Sequence, residues 1–293
     1  MACVGPRCRL LRVFWFFTLL VMYGLYMVIY CNYLLVDVVT DASRMVYMVV
    51  WHFFWAMHLW CYMAASTSNT KVPSSCYRLP AELQTKLRQC YTAQSKVNLI
   101  LDFCRERDLS VEEAKLETLT DSDVSRIFCF VCLAAKPPRC YHCSSCETCV
   151  LRKERHCQYF AVCVNRANFK ATQLAAVYLF CMALTSVITG GPYLSTHWRR
   201  LYNNPEFWQI GGLGLLTYGL CQCLFNGLAG FGSFVFGVYL AAKNITFAEW
   251  YRGENQIDYS LGSRWKNLTY FWGDNPLLWA FPIEPNCEKD LKH

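Results

Sequence analysis

The chain has 293 residues, of which 55% are apolar and only 17% charged, against roughly 25% charged in a typical soluble domain. This composition excludes an ordinary soluble protein and predicts that the apolar residues fall in long runs. The net charge of +7 does not call for nucleic acid as a partner, because anionic lipid headgroups attract the same basic residues.

Four long apolar runs follow one another along the chain: 13–36, 45–65, 171–194 and 209–242. A helix needs about 20 apolar residues to cross the hydrocarbon layer, so each run predicts a transmembrane span. The first run exceeds the apolar core of a signal peptide, about 7–15 residues, and is expected to be retained. The fourth is too long for one upright span, and its first third is expected to lie at the interface or to tilt. Buried helices of a soluble protein are the alternative, but such runs are too long for them.

The basic residues predict how the spans are oriented. All but three of the 28 Lys and Arg residues lie in the N-terminal tail, in the segment 66–170 or in the tail that begins at Lys243. Two short loops, 37–44 and 195–208, hold the other three: Arg44, Arg199 and Arg200. Because Lys and Arg concentrate on the cytoplasmic side, both termini and the long middle segment are expected in the cytosol.

The cytosolic parts differ in character. A helix is predicted from residue 80 to 107, where Leu83, Leu87 and Tyr91 have near-helical spacing, and this connector carries no chemical motif. The C-terminal tail is polar and rich in tryptophan, a composition typical of the membrane interface. No internal repeat is evident. The predicted division of the chain is 1–65 (tail and spans 1–2), 66–126 (connector), 127–170 (cysteine-rich module), 171–242 (spans 3–4) and 243–293 (tail).

The cysteine-rich module carries the chemistry. Eight of the 19 cysteines lie between Cys129 and Cys163, on the side predicted to face the reducing cytosol, where disulfides are disfavoured. Tetrahedral zinc takes four thiolate or imidazole ligands, and a C-x2-C pair supplies two of them. Two such pairs, two histidines and further cysteines suffice for two zinc ions, although spacing alone does not say which residues share an ion. A chance cluster of buried cysteines is the alternative. With few apolar residues, the module is expected to need metal in order to fold.

Residues 129–169 resemble the cysteine-rich domain of the DHHC-type protein S-acyltransferases. The matched features are C-x2-C, K-P-P-R-x2-H-C, C-x2-C-x2-C, the four-residue signature (here 154–157), C-x5-C and Asn168. The sequence 246–249 is similar to the Thr-Thr-x-Glu motif that the family has after its fourth span. Gly262, Asn267 and Gly273 resemble its C-terminal asparagine motif. The resemblance implies an α-helical membrane protein with four spans and a cytosolic two-zinc module between spans 2 and 3.

The resemblance also implies a chemistry. Cys157 accepts a long-chain acyl group, such as palmitoyl, from acyl-CoA and passes it to cysteines of cytosolic or membrane proteins close to the bilayer, which makes acyl-CoA and those proteins its partners. An endomembrane location, Golgi or endoplasmic reticulum, is expected. Cys140 falls at a variable position and is not expected to bind metal. Two structural zinc ions are implied, the first with Cys129, Cys132, His142 and Cys149, and the second with Cys143, Cys146, His156 and Cys163.

The signature departs from Asp-His-His-Cys, because Glu154 replaces the Asp and Arg155 the first His. The family assigns that His to deprotonating the nucleophile, which arginine cannot do because it has no free lone pair. A guanidinium does favour a nearby thiolate, so we predict that Arg155 activates Cys157 and that Glu154 orients Arg155. Tyr159 replaces a Trp and can still stack near the acyl thioester.

Two other functions remain open at the level of the sequence. A catalytically impaired, zinc-binding membrane adaptor of the same family is favoured by Arg155, whereas retention of Cys157 favours the enzyme. A transporter or channel is the third possibility. It is disfavoured because His52 and His58, six residues apart on different helix faces, make a poor relay.

Overall fold

A computed structural model of the chain describes residues 6–27, 41–68, 72–111, 121–203, 207–253 and 258–284. Its described elements are helices and short strands. The helices are α1 (Pro6–Tyr26), α2 (Asp41–Thr67), α3 (Ala81–Gln89), α4 (Ala93–Glu106), α5 (Asp121–Ile127), α6 (Arg166–Asn203), α7 (Phe207–Lys243), α8 (Phe247–Arg252) and α9 (Arg264–Trp272). Single 3-10 turns lie at Ser75–Tyr77 and Pro276–Leu278.

Helices cover the predicted spans within the described residues. Among those residues, two helices are long and apolar enough to cross a membrane, Arg166–Asn203 and Ile210–Lys243. Helix α2 contains the whole second run, and α1 contains the first half of the first run; residues 28–36 lie outside the description. The described residues thus support two of the four predicted spans by length and hydropathy, and a third run is helical.

Helices α6 and α7 pack closely at two glycines of the fourth run. A Cβ atom built on Gly227 would come within 2.6 Å of the Ala183 side chain, and one on Gly237 within 2.5 Å of the Gln173 side chain. A larger residue at Gly227 would push the helices apart, whereas at Gly237 the flexible end of Gln173 would have to move. Helix α6 continues to Asn203, so the predicted loop 195–208 is mostly helical. That prediction was wrong because polar residues extend the helix beyond its apolar run.

The helix predicted over 80–107 of the connector is two helices rather than one. The chain breaks after Gln89 and restarts where the Thr92 side chain accepts a hydrogen bond from the Ser95 amide, an N-cap that begins a new helix. Tyr91 lies in the break and is 99% exposed, so its helical spacing was misleading. Leu87, Val97, Ile100, Phe103 and Val124 share a small core with Phe128 and Ala135 of the cysteine-rich module.

The module itself consists of three antiparallel hairpins of two strands each. They are β1–β2 (Phe128–Cys129 and Ala134–Ala135), β3–β4 (Tyr141–Cys143 and Thr148–Val150) and β5–β6 (Arg155–Cys157 and Val162–Val164). The last hairpin packs against α2, α6 and α9 in the largest core of the described residues, whose members include Met57, Tyr62, Phe160, Val162, Leu174, Phe271 and Trp272. This core joins the module to the bundle.

Candidate active site and metal centres

The three hairpins repeat with a period of 14 residues, the interval from Cys129 to Cys143 and from Cys143 to Cys157. In each turn one residue adopts the left-handed backbone conformation: Leu133 (φ 52°), Glu147 (φ 54°) and Ala161 (φ 49°). These residues are also 14 apart. The expectation of no internal repeat was therefore wrong. Short strands that share only cysteines and histidines hide the repeat from a search for similar sequences.

The repeat places metal-ligating side chains in two groups of four. Each group takes the C-x2-C pair of one hairpin and a His and a Cys from the next hairpin. The groups are Cys129, Cys132, His142 and Cys149, and Cys143, Cys146, His156 and Cys163. Within each group the candidate ligand atoms all lie within 4.8 Å of one another. The structure thus brings together the two sets that the family resemblance implies.

The distances fit tetrahedral zinc. With Zn–S and Zn–N bonds near 2.3 and 2.0 Å, a tetrahedron has edges of about 3.5 Å between S and N and about 3.8 Å between two S atoms. In the second group, His156 Nδ1 lies 3.6, 3.4 and 3.7 Å from the Sγ atoms of Cys143, Cys146 and Cys163. In the first group, His142 Nδ1 lies 3.5, 3.4 and 3.9 Å from the three sulfurs. Both groups can hold a metal ion, and their donor types suit zinc.

Cys157 occupies the position in the third hairpin that Cys129 and Cys143 occupy in the first two. Phe160 stands where the second cysteine of the pair would be, and among the described residues no fourth hairpin follows to supply a His and a Cys. Cys157 is outside both groups of four and is half-buried. The repeat therefore explains why a cysteine at the position of a metal ligand is left outside both groups.

Aromatic side chains surround the turn that follows Cys157. Tyr159 packs edge-on against Trp15 of α1 and Tyr62 of α2, with ring centroids 5.5 and 5.3 Å apart. Cys157 and Tyr159 both pack on the core that joins the module to the bundle. Burial raises the pKa of Tyr159, so the phenol stays neutral. The thiol thus lies where the module meets the apolar helices.

Glu154 binds a neighbouring segment of the chain. Its carboxylate accepts the amide N–H of Phe247, the first residue of α8, at 2.7 Å, and the Arg152 guanidinium lies 3.9 Å away. Burial raises the pKa of Glu154, while the charge of Arg152 opposes that effect. The contacts found for the Glu154 carboxylate are therefore with Arg152 and Phe247. That Glu154 also orients Arg155 stays a prediction.

The Arg155 side chain contacts α7, one of the two helices of membrane-spanning length. One of its terminal nitrogens donates to the Ser233 hydroxyl of α7 at 3.2 Å. The side chain is half-buried, and it stands two residues before Cys157 on strand β5. This contact holds the Arg155 guanidinium against α7. That its positive charge activates the Cys157 thiol stays a prediction.

A buried ion pair joins the module to the segment after the fourth run. Arg139 donates two hydrogen bonds of 2.7 Å to the Glu249 carboxylate and one of 2.8 Å to the carbonyl of Asn244. Both side chains are only 8% exposed. Burial alone would raise the pKa of Glu249, but the hydrogen bonds and charge of Arg139 hold it below its usual value. Thr246 caps α8, so the motif at 246–249 is a docking point for the module.

The fold and site define a class: helices of membrane-spanning length joined to a cysteine-rich module with two groups of candidate metal ligands and, outside both, the half-buried thiol of Cys157. A model of the family "DHHC palmitoyltransferase" matches residues 123–254, which include all three hairpins and α6–α8. Curated relatives match most of the chain. Palmitoyltransferase ZDHHC15 of Xenopus laevis is 26% identical over 259 residues, covering 85% of this chain and 71% of the relative.

Two zebrafish (Danio rerio) proteins give similar matches. Palmitoyltransferase ZDHHC20-A is 28% identical over 271 residues, covering 89% of this chain and 70% of its own. Palmitoyltransferase ZDHHC15A is 26% identical over 301 residues, covering 96% and 84%. These findings support a DHHC-type protein S-acyltransferase, the family that the motifs predicted, and that prediction is confirmed.

Some residues of the site were missed by the sequence analysis. Arg139 and Glu249 were noted only as parts of motifs, and His58, which hydrogen-bonds Tyr159 at 2.9 Å, was considered only as part of a transporter relay. The pairs are separated by 110 and 101 residues. The sequence did offer a signal for them, because Arg139 and Glu249 are charged residues within motifs and His58 is a histidine in an apolar run. Such side chains need a polar partner when they are buried.

Proposed function

We propose that the chain transfers a long-chain acyl group from acyl-CoA to protein cysteines through an acyl-Cys157 intermediate. The observation that carries this proposal is the position of Cys157 in a metal-binding module, outside both groups of metal ligands and next to the apolar bundle. Because the family relatives are named palmitoyltransferases, palmitoyl-CoA is the proposed donor. Proteins with cysteines near the membrane are the proposed acceptors.

The reaction has two steps, and both exchange one thioester for another. The Cys157 thiolate attacks the thioester carbonyl of acyl-CoA, its sulfur bonds to the acyl carbon, and the bond to the CoA sulfur breaks. CoA leaves as a thiolate and takes a proton from water. A substrate cysteine thiolate then attacks the acyl-Cys157 carbonyl, which returns Cys157 as a thiolate. No oxidant or reductant takes part.

The chain's own residues have distinct proposed tasks. Arg155, held by Ser233, supplies positive charge that favours the thiolate form of Cys157. Glu154 holds the signature strand against α8 through the Phe247 amide, in addition to the orienting role toward Arg155 predicted from the sequence. Tyr159 forms part of the apolar surface that the acyl chain contacts where it enters the helix bundle. When bound, the two zinc ions supply structural support to the hairpins.

We further propose a four-span arrangement, with both termini and the module in the cytosol of an endomembrane and with the domain limits predicted from the sequence. The two helices of spanning length support it, as does the joint packing of α2, α6 and the third hairpin. In this arrangement Cys157 lies at the inner edge of the bilayer, where the CoA group stays in water while the acyl chain lies among the helices.

The test is metabolic labelling. Cells that express the protein are fed an alkynyl fatty acid, and the purified protein is examined for label that hydroxylamine removes. We expect a labelled Cys157 peptide in the wild type and none in Cys157→Ser. Cys140→Ser is the matched control, because Cys140 is a buried cysteine of the same module outside both metal groups. Equal labelling of Cys157→Ser and wild type would refute the proposal.

A zinc-binding adaptor is the second candidate. It is favoured by one observation: Arg155 stands where the family has its base and is bound to Ser233. An adaptor would keep both zinc ions and bind partners without taking up label at Cys157. The labelling experiment therefore separates the two candidates.

A further inference from the structure

His58 is a buried histidine that connects three elements of the fold. It lies on α2 and is 1% exposed. Its Nδ1 atom is 2.8 Å from the Ala175 carbonyl oxygen of α6, and its Nε2 atom is 2.9 Å from the Tyr159 hydroxyl in the β5–β6 turn. One imidazole thus joins two helices of the bundle to the turn that follows Cys157.

The two contacts fix the hydrogen positions of the neutral ring. A carbonyl oxygen only accepts, so Nδ1 carries the hydrogen and donates it to Ala175. Nε2 is then the acceptor, and the Tyr159 O–H donates to it. A charged imidazole would donate from both nitrogens, but its charge would be buried at high cost, so the ring is neutral. The arrangement is therefore a directed chain from the Tyr159 hydroxyl through His58 to the backbone of α6.

The third hairpin has a particular need for such a link. In the first two hairpins both cysteines of the turn belong to a metal group, so a bound ion would hold the turn itself. In the third, Phe160 replaces the second cysteine, so the second metal group reaches only the strands, at His156 and Cys163, and includes no residue of the turn between them. Tyr159 lies beside Phe160, packs on Trp15 and Tyr62, and is held at its hydroxyl by His58.

We propose that His58 is a positioning residue for acyl transfer, which holds the turn after Cys157 against α2 and α6 through the Tyr159 hydroxyl. This inference rests on the proposed S-acyltransferase function and adds a residue outside the cysteine-rich module to its machinery. A displaced turn moves Cys157 relative to the acyl thioester, and a misplacement of about 1 Å can cost about 100-fold in rate. We expect loss of the hydrogen bond to slow acylation of Cys157 by roughly 10- to 100-fold.

The experiment uses the full-length protein in lipid nanodiscs. The initial rate of hydroxylamine-sensitive acylation of Cys157 by palmitoyl-CoA is measured for His58→Leu, Tyr159→Phe and the double variant. His58→Gln is the rescue variant, because an amide can donate to Ala175 and accept from Tyr159. His52→Leu is the matched control. His52 lies on the same helix and bonds Met48 and Tyr23 at 2.6 and 3.2 Å, away from the hairpin.

The inference predicts a defined pattern. His58→Leu and Tyr159→Phe should each slow acylation, and the double variant should be no slower than the slower single variant, because one bond is lost in all three. His58→Gln should recover most of the rate, and His52→Leu should stay near wild type. Additive losses in the double variant, or equal rates for His58→Leu and His52→Leu, would overturn it.

A second measurement needs no activity. Nitrogen NMR of histidine-labelled protein should show one neutral ring with hydrogen on Nδ1 and a hydrogen-bonded Nε2, a signal absent from His58→Gln. Its Nε2 resonance should shift in Tyr159→Phe, and an unchanged resonance would contradict the contact. If that variant fails to fold, the wild-type spectrum decides, because a His58 ring with its hydrogen on Nε2 would contradict the contact. A wild type that never acylates Cys157 would refute the proposed function, whereas this spectrum tests the link on its own.

Discussion

Cys157 combines two properties that rarely coincide in one thiol. It has the backbone position of a metal ligand, on a strand paired with Val162 across a tight turn, and yet it belongs to neither group of four. Buried structural cysteines are normally inert, whereas a reactive thiol needs a partly exposed site with nearby positive charge. Cys157 is half-buried, and the charge is the one that we propose Arg155 supplies, two residues earlier on the same strand.

The first prediction concerns Arg155. Replacing it by Ala removes the charge that favours the thiolate, so alkylation of Cys157 by iodoacetamide at pH 7 should slow by roughly 3- to 10-fold. The rate is followed on the Cys157 peptide by mass spectrometry. Ser233→Ala is the control that keeps the charge and loses its anchor, and it should slow alkylation less. Unchanged reactivity in Arg155→Ala would refute electrostatic activation.

At the scale of the elements, the main feature is how the three hairpins are linked to one another and to α8. Metal groups link the first hairpin to the second and the second to the third, and the Arg139–Glu249 pair links the module to α8. Each link joins elements that have little apolar core of their own. The cysteine-rich module is therefore expected to lose its folded structure when one of these links is removed.

Zinc content gives the second prediction. Wild-type protein should carry about two zinc ions per chain and lose protease resistance over 127–165 on chelation, because metal binding supplies the folding free energy of such modules. Elemental analysis should find about two ions in Cys157→Ser and Cys140→Ser and about one or none in Cys129→Ser. Loss of zinc from Cys157→Ser would contradict the assignment of Cys157 as the free thiol.

The ion pair gives the third prediction. Arg139→Leu leaves the Glu249 carboxylate buried without its partner, which should cost about 3–5 kcal/mol of stability and lower the melting temperature in detergent. The control is the double variant Arg139→Leu/Glu249→Leu, which removes both charges and should recover much of the loss. A double variant as unstable as the single one would show that the pair does not act through charge.

Local and long-range features differed in how well the sequence predicted them. Cys129, Cys132 and the other ligands follow from short spacings together with a family resemblance, and the structure brings them together. Arg139 and Glu249 bond across 110 residues, and His58 and Tyr159 across 101. No local pattern encodes such pairs, because they depend on how the bundle packs. The break at Thr92 was missed because apolar spacing continued across an N-cap.

At the scale of the whole molecule, the length of α6 can be compared with the thickness of the membrane. Its 38 residues at 1.5 Å each span roughly 57 Å, against about 30 Å of hydrocarbon. Its first turns are buried beside the third hairpin, so the excess length extends on the far side. The proposed topology places Asn203, the last residue of α6, well beyond the membrane there.

Topology gives the fourth prediction. The natural sequons at Asn244 and Asn267 are poor reporters because both side chains are buried. Pro205→Thr creates a new sequon at residues 203–205, and Lys71→Thr creates one at 69–71. The first should be glycosylated in cells and the second should not, as judged by an endoglycosidase-sensitive mass shift. The reverse pattern would place the module in the lumen.

The most direct test follows acyl groups through Cys157. Purified protein is mixed with labelled palmitoyl-CoA, the excess is removed, and a peptide with one membrane-proximal cysteine is added. We predict that label appears first on Cys157, then moves to the peptide, and that Cys157→Ser does neither. Transfer to the peptide by Cys157→Ser at the wild-type rate, or a wild type that never carries label on Cys157, would contradict the account.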